Sequence, residues 1–132
     1  MREYQLYIGG GWRPGQAGTA PAVSPSSGET FARVAVGGPA DVDAAVSAAA
    51  AGWPAWAAAS PFDRALACEQ VAAAVIAARD ELADVLTRDQ GKPLTEALDE
   101  VDELAVYFRM AGEDAKRMAG SLPASTSAGR RC

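Results

Sequence analysis

The sequence has no histidine and only two cysteines, Cys68 and Cys132. Without imidazole there is no histidine base for a serine or cysteine nucleophile and no histidine-bearing zinc site. Two cysteines, one of them terminal, do not make a disulfide framework. Bulky apolar residues are also scarce. Apolar residues form 49% of the chain, but 31 of the 65 are alanine, and aromatics are only 7%. Alanine favours helix yet offers little surface to bury. A deep core is therefore not expected in 132 residues, a length already marginal for surface burial. The chain is expected to lean on a partner, either more chain or another subunit.

Excess basic charge is absent too. Twelve Lys and Arg face 17 Asp and Glu, for a net charge of −5 and a pI near 4.6. Such a chain repels phosphate backbones, so no nucleic-acid partner is expected. No long apolar run is present. The longest charge-free stretch, Ala44 to Phe62, is mostly alanine and is interrupted by Gly52, Pro54 and Pro61, so no membrane span or membrane partner is expected. The opening "MREYQLYIGG" lacks the apolar run of a secretion signal. The expected setting is cytoplasmic.

What is present falls into three parts: a β-hairpin region over 1–37, a helical region over 38–120 and a loop over 121–132. The fold class expected is mainly α with an N-terminal β-hairpin region. In "YQLYIGGGWRPG", Leu6 and Ile8 share one strand face and Tyr7 the other. Gly9 to Gly11 supply a turn, and Trp12 follows it. Pyrophosphate loops need spaced glycines opening a helix. These are consecutive, and Pro14 and Gly15 follow. "AVSPSSGETFARVAV" gives two extended runs around the turn Ser24 to Gly28.

From Gly38 the period becomes helical. Gly38 is placed as N-cap, Pro39 as first helical residue and Asp41 as the acid of the first turn. Val42, Ala45, Val46, Ala49 and Trp53 form one face, and Gly52 with Pro54 is expected to end the helix. Ser60, Pro61 and Asp63 repeat the start signal. Cys68, Val71, Ala72 and Val75 make the next face. A break is expected near Arg79–Asp80, followed by a short helix carrying Leu82, Val85 and Leu86. The last helix is expected over Leu94 to Ala119 and closed by Gly120. Its face is Leu94, Leu98, Val101, Leu104 or Ala105, Phe108, Ala111, Ala115 and Met118.

Three constellations could carry chemistry. "GK" at Gly91–Lys92 has the look of a phosphate loop, but that loop needs glycine five positions earlier and Ser or Thr after the lysine. Leu86 and Pro93 stand there. Gly91 is instead expected to end a helix in the left-handed conformation, with Pro93 blocking continuation. The acids Glu96, Asp99, Glu100, Asp102 and Glu103 share helix faces and could hold a divalent cation. The first half of a helix also favours a solvated acidic face, and no other ligand type clusters nearby. Cys68 lies on an apolar face without a base to activate it, and so reads as a small core residue.

The order of the segments goes further. "LYIGGGW", "VSPSSGETFARV", "DVDAAVSAAAAGWPAWAAASPFDRA", "RDQGKPLTEA" and "EVDELAVYFRMAGEDAKRMAGSLP" together resemble the N-terminal part of the NAD(P)-dependent aldehyde dehydrogenase superfamily. The resemblance covers nearly the whole chain. Ser24, where the family often has asparagine, and the triple-glycine turn depart from it. It implies the N-terminal piece of an α/β enzyme, with 38–120 as the helical part of the cofactor-binding domain. Most of the dinucleotide-binding sheet and the catalytic domain would lie elsewhere. In the complete enzyme it implies NAD or NADP as cofactor, an aldehyde as substrate and a homo-oligomer. There a cysteine thiolate attacks the aldehyde, hydride passes to the nicotinamide, and a glutamate activates the hydrolytic water. No residue of this chain matches a catalytic position, so the fragment is expected to be inactive alone. One minor site carries over, a monovalent cation held by the Val23 main-chain carbonyl and the Asp89 carboxylate. The alternative for Asp89 is a plain helix-end acid or an arginine partner. Two other readings remain open at this point. One is a non-catalytic helical interaction or oligomerisation module; the other is a truncated reading frame.

Overall fold

The computed structural model describes residues 1–118, 120, 126 and 129. Strands occupy the first part: β1 (Arg2–Tyr4), β2 (Leu6–Ile8), β3 (Gly11–Arg13), β4 (Thr19–Val23) and β5 (Thr30–Ala35). Four helices follow: α1 (Pro39–Ala58), α2 (Pro61–Ala77), α3 (Arg79–Gln90) and α4 (Leu94–Ala115). Except for Thr126 and Gly129, the loop expected over 121–132 lies outside the described residues.

β2 and β3 pair antiparallel with Tyr7 opposite Trp12. The turn between them uses Gly9 at φ 62° and Gly10 at φ 83°, the double left-handed pair whose twist suits a two-residue hairpin. Tyr7 and Trp12 stack at 4.9 Å between ring centroids. The second sheet has the order β1-β5-β4. β4 and β5 are the expected hairpin around Ser24–Gly28, antiparallel with an irregularity at Ala22/Val23. The parallel pairing of β1 with β5, Arg2 opposite Ala32, is an addition to the expected fold.

The helix starts follow the sequence signals. Asp41 Oδ2 accepts from the Gly38 amide at 2.9 Å and from the Gln16 amide at 2.8 Å. One carboxylate thereby caps α1 and ties the loop before β4 to it. Ser60 Oγ accepts from the Asp63 amide at 3.1 Å and donates to Asp63 Oδ2 at 2.7 Å. α3 ends at Gly91, left-handed at φ 72°.

Two helix ends differ from expectation. α1 does not stop at Gly52 and Pro54 but runs through both to Ala58. Pro54 removes the hydrogen bond to the carbonyl four residues back. That segment is exposed, so the freed carbonyl faces solvent, and the flanking alanines favour helix. α4 ends at Ala115, not Ala119. Met118 lies beyond it and is exposed, and Gly120, although left-handed, does not close it.

The core lies between α2, α3 and α4, where Ala83, Ala97 and Val101 are buried under Val75, Leu86 and Leu98. Ala65, Ala72, Ala105 and Ala115 complete it. Among the described residues no large side chain is fully buried. The buried stripe of α4 is Ala97, Val101, Ala105, Gly112 and Ala115; Leu94, Leu104 and Ala111 of the expected face are exposed. The reason is the close approach of α2. A Cβ on Gly112 would sit 3.2 Å from the Ala65 carbonyl oxygen and 3.3 Å from Cys68 Cβ, so the contact selects small residues over bulky ones. On α2, Val71 is exposed and Cys68 only half-buried, and on α3 Leu82 is exposed. The face expected on α1 also lies open: Val42 is 59%, Val46 63% and Trp53 64% exposed.

Candidate functional site

The segments carrying Val23 and Asp89 meet where the β4–β5 turn touches the end of α3. The turn is held by the Ser24 amide donating to the Glu29 carbonyl at 2.9 Å and the Gly28 amide donating to the Ser24 carbonyl at 2.8 Å. Ser24, buried, shares a hydrogen bond with Ser26 through their hydroxyls at 3.0 Å. Pro25 packs onto Gly91, where an added Cβ would stand 2.9 Å from the proline Cγ. Glycine is therefore required at 91 twice over, by its left-handed φ and by this contact.

Val23 is the last residue of β4, paired with Thr30 just past the strand irregularity. Asp89 is exposed in the last turn of α3. That is the negative end of the helix dipole, where a carboxylate is disfavoured and a cation favoured. Among the described residues no ion pair includes Asp89, while its neighbour Arg88 is joined to Asp84. A cleft of about 370 Å³ opens beside the turn, lined by Ser24, Ser26, Glu29, Thr87 and Arg88 among others. The Thr87 hydroxyl is buried without a hydrogen-bond partner among the described residues.

The other candidates resolve into structural roles. Lys92 is not directed at a phosphate; its ammonium is paired with Glu100 of α4. Asp102 receives the Arg79 guanidinium through two bonds of 2.7 Å each. That pairing holds the Asp102 carboxyl below the usual carboxylate range against the opposing pull of desolvation. Two of the five acids between Glu96 and Glu103 are thus neutralised, and no group of three or more metal-ligating side chains occurs among the described residues. Cys68 lines a cleft with Trp53, Trp56, Arg64, Ala115 and Met118. Arg64 donates to the Ala59 carbonyl at 2.7 Å, and none of the described residues lining the cleft is a base. No helix among the described residues is long and apolar enough to cross a membrane.

Sequence reasoning placed Asp41 in the first turn of α1 but missed its bond to Gln16, which joins residues 25 apart. It also missed Arg79 as the partner of Asp102. Helical period marks faces within one helix, but it carries no signal for a pair between helices 23 residues apart.

The sequence matches the aldehyde dehydrogenase family over residues 12–132. It is 36% identical over 108 residues to a 3,6-anhydro-alpha-L-galactose dehydrogenase of Streptomyces coelicolor, covering 82% of this chain and 22% of that protein. It is 34% identical over 117 residues to the glutarate-semialdehyde dehydrogenase of Pseudomonas putida, covering 88% of this chain and 24% of that one. The fold superposes on the crystal structure of PnpE in complex with nicotinamide adenine dinucleotide with a TM-score of 0.85 at 33% identity, covering 93% of this chain and 26% of that one. The chain thus spans about a quarter of the length of the relatives it matches. By its sequence and by its fold, the chain belongs to the aldehyde dehydrogenase family, of which it represents the N-terminal portion.

Proposed function

We propose that this chain is the N-terminal shell of an NAD(P)+-dependent aldehyde dehydrogenase and is catalytically silent by itself. The complete enzyme would convert an aldehyde and water to a carboxylate, with NAD(P)+ accepting the hydride, and would act as a homo-oligomer. The observation that carries this is the family match over residues 12–132 together with the lack of a nucleophile–base pair among the described residues. The described residues do not fit the dinucleotide. The one Gly-Lys pair ends a helix and its lysine is bound to Glu100. The cofactor would be held by the portion of the fold that this chain does not span.

In the complete enzyme the Val23 carbonyl and the Asp89 carboxylate would hold a monovalent cation. Support comes from the Pro25–Gly91 contact that joins their segments, from the place of Asp89 at the negative end of α3, and from the suitability of oxygen donors for a hard cation. A cytoplasmic setting is part of the same proposal, in keeping with the low cysteine content.

The test is direct. The purified chain, incubated with glutarate or succinate semialdehyde and either NAD+ or NADP+, should give no reduced nicotinamide. Joining it to the remaining portion of the Pseudomonas putida relative should restore turnover. Clean turnover by the chain alone, or no turnover by the joined protein when folded, would remove the proposal.

A further inference from the structure

The three-stranded sheet holds its two outer strands in different ways. β4 is joined to β5 over five paired positions and closed by the Ser24–Gly28 turn. The Arg33 guanidinium clasps the same two strands from the side, donating through Nε and Nη2 to the Thr19 hydroxyl at 2.9 and 2.6 Å. Pro21, opposite Arg33, has no N–H to offer a further strand. β1 is held by much less. It pairs with β5 at three positions, Arg2 to Tyr4. Met1, Arg2 and Glu3 are exposed and only Tyr4 is half-buried, so β1 brings little apolar surface to the sheet. A single residue, Gln5, joins it to the β2–β3 hairpin.

What fixes β1 from outside the sheet is a charge. Arg2 Nη1 stands 2.6 Å from Glu81 Oε1, which belongs to the first turn of α3. Arg2 and Tyr4 share one face of the strand, and the guanidinium carbon lies 5.1 Å from the centre of the Tyr4 ring. Glu81 is well placed without Arg2, because the first turn of a helix favours an acid. Both side chains of the pair are more than half exposed, 58% and 57%. An ion pair so open to water is weak and is screened by salt. The Arg33–Thr19 clasp has an uncharged acceptor and is less subject to screening. Segments with few buried contacts open locally while the core stays folded. We propose that β1 is a salt-released strap, latched to α3 by Arg2 and Glu81, that opens at Gln5 while the β4–β5 hairpin and the helices stay in place. Open, it leaves one edge of β5 unpaired, since no other described strand lies on that side. Such an edge accepts an added strand. The strap is independent of the catalytic reading, because it involves no reacting group.

Amide hydrogen exchange of the chain, followed residue by residue by NMR at about 0.01 M and about 1 M sodium chloride, tests the strap. The amides of β1, and those of Ala32 to Val34 that face it, should be protected at low salt. At high salt they should exchange about fivefold faster, while amides in the middle of α2 and α4 keep their rates. Arg2→Gln and Glu81→Gln should each bring the same acceleration at low salt and remove the response to salt. Arg2→Lys keeps the charge and should keep most of the protection, which a purely steric role for Arg2 would not predict. Five outcomes overturn the inference. The β1 and β5 amides are unprotected even at low salt; their protection does not change with salt; the helix amides accelerate equally, so that the whole chain opens together; both glutamine variants are protected like the wild type; or Arg2→Lys loses as much as Arg2→Gln.

Discussion

Asp41 shows how much a single side chain can organise in a chain with little core. Its carboxyl is held below the ordinary range first by the Gln16 amide and then by the Gly38 amide, with desolvation pulling the other way. An acid whose folded pKa is depressed stabilises the fold fully above its unfolded pKa, about 3.9. That contribution is lost as the pH falls through the folded value. Asp41→Asn keeps an acceptor oxygen and removes the charge. The variant should therefore melt below the wild type near neutral pH, and the gap should narrow below about pH 4 and close once the wild-type carboxyl is itself protonated. Thermal melts followed by circular dichroism across that range would show it; a gap that does not change with pH would mean the charge is not what stabilises. At this scale much was legible. The Ser60 cap, the Asp41 position and left-handed Gly91 are local signals, because a cap or a helix stop is made by residues a few positions apart. The Asp41–Gln16 bond and the Arg79–Asp102 pair depend on where distant segments come to rest, which local pattern does not encode.

Among the elements, α2 and α4 pack most extensively, and Gly112 is where their backbones come close, against Ala65 and Cys68. A side chain there must displace either the Ala65 carbonyl or Cys68. Overpacking of this kind costs about 1–3 kcal/mol. Gly112→Val should lower stability to urea by that amount. Ala111→Val, one residue along on an exposed position, should stay within about 0.5 kcal/mol of the wild type, although both introduce the same β-branched residue into the helix. Because valine is a better helix former than glycine, a loss at 112 must come from packing, and a variant as stable as the wild type would show that the contact yields. The same contact explains why the face expected on α4 was only partly right. Val101 and Ala115 of that face are buried as expected and Ala105 is the member of the Leu104/Ala105 pair that turns inward, but bulky residues drew the stripe toward Leu94 and Met118, whereas the partner helix also selects Ala97 and Gly112. α1 errs in the other direction. Its apolar face was correctly recognised from the period, but period says only that a face is apolar, not that this chain covers it. Its passage through Pro54 was missed because breaker residues weigh less than a flank of alanines on an exposed helix. The parallel pairing of β1 with β5 was missed for a further reason. Three residues meet a strand 30 positions away, and nothing short-range records it.

For the whole molecule, the alanine count and the open surface are two views of one property. A compact chain of 13.6 kDa would bury about two-thirds of the area its unfolded form exposes; among the described residues of this one, Val42, Val46, Trp53 and Phe62 stay more than half exposed. The denaturant slope scales with area exposed on unfolding. The isolated chain should therefore unfold in urea with a slope below that of a compact monomer of equal length. It should also bind a hydrophobic dye in its native state through the open apolar face of α1, where Val42, Val46 and Trp53 are exposed. A native chain that binds no dye and unfolds with the slope of a compact domain would show that 132 residues suffice to close the surface. The part would then be a self-sufficient module and not a shell awaiting the rest of its fold.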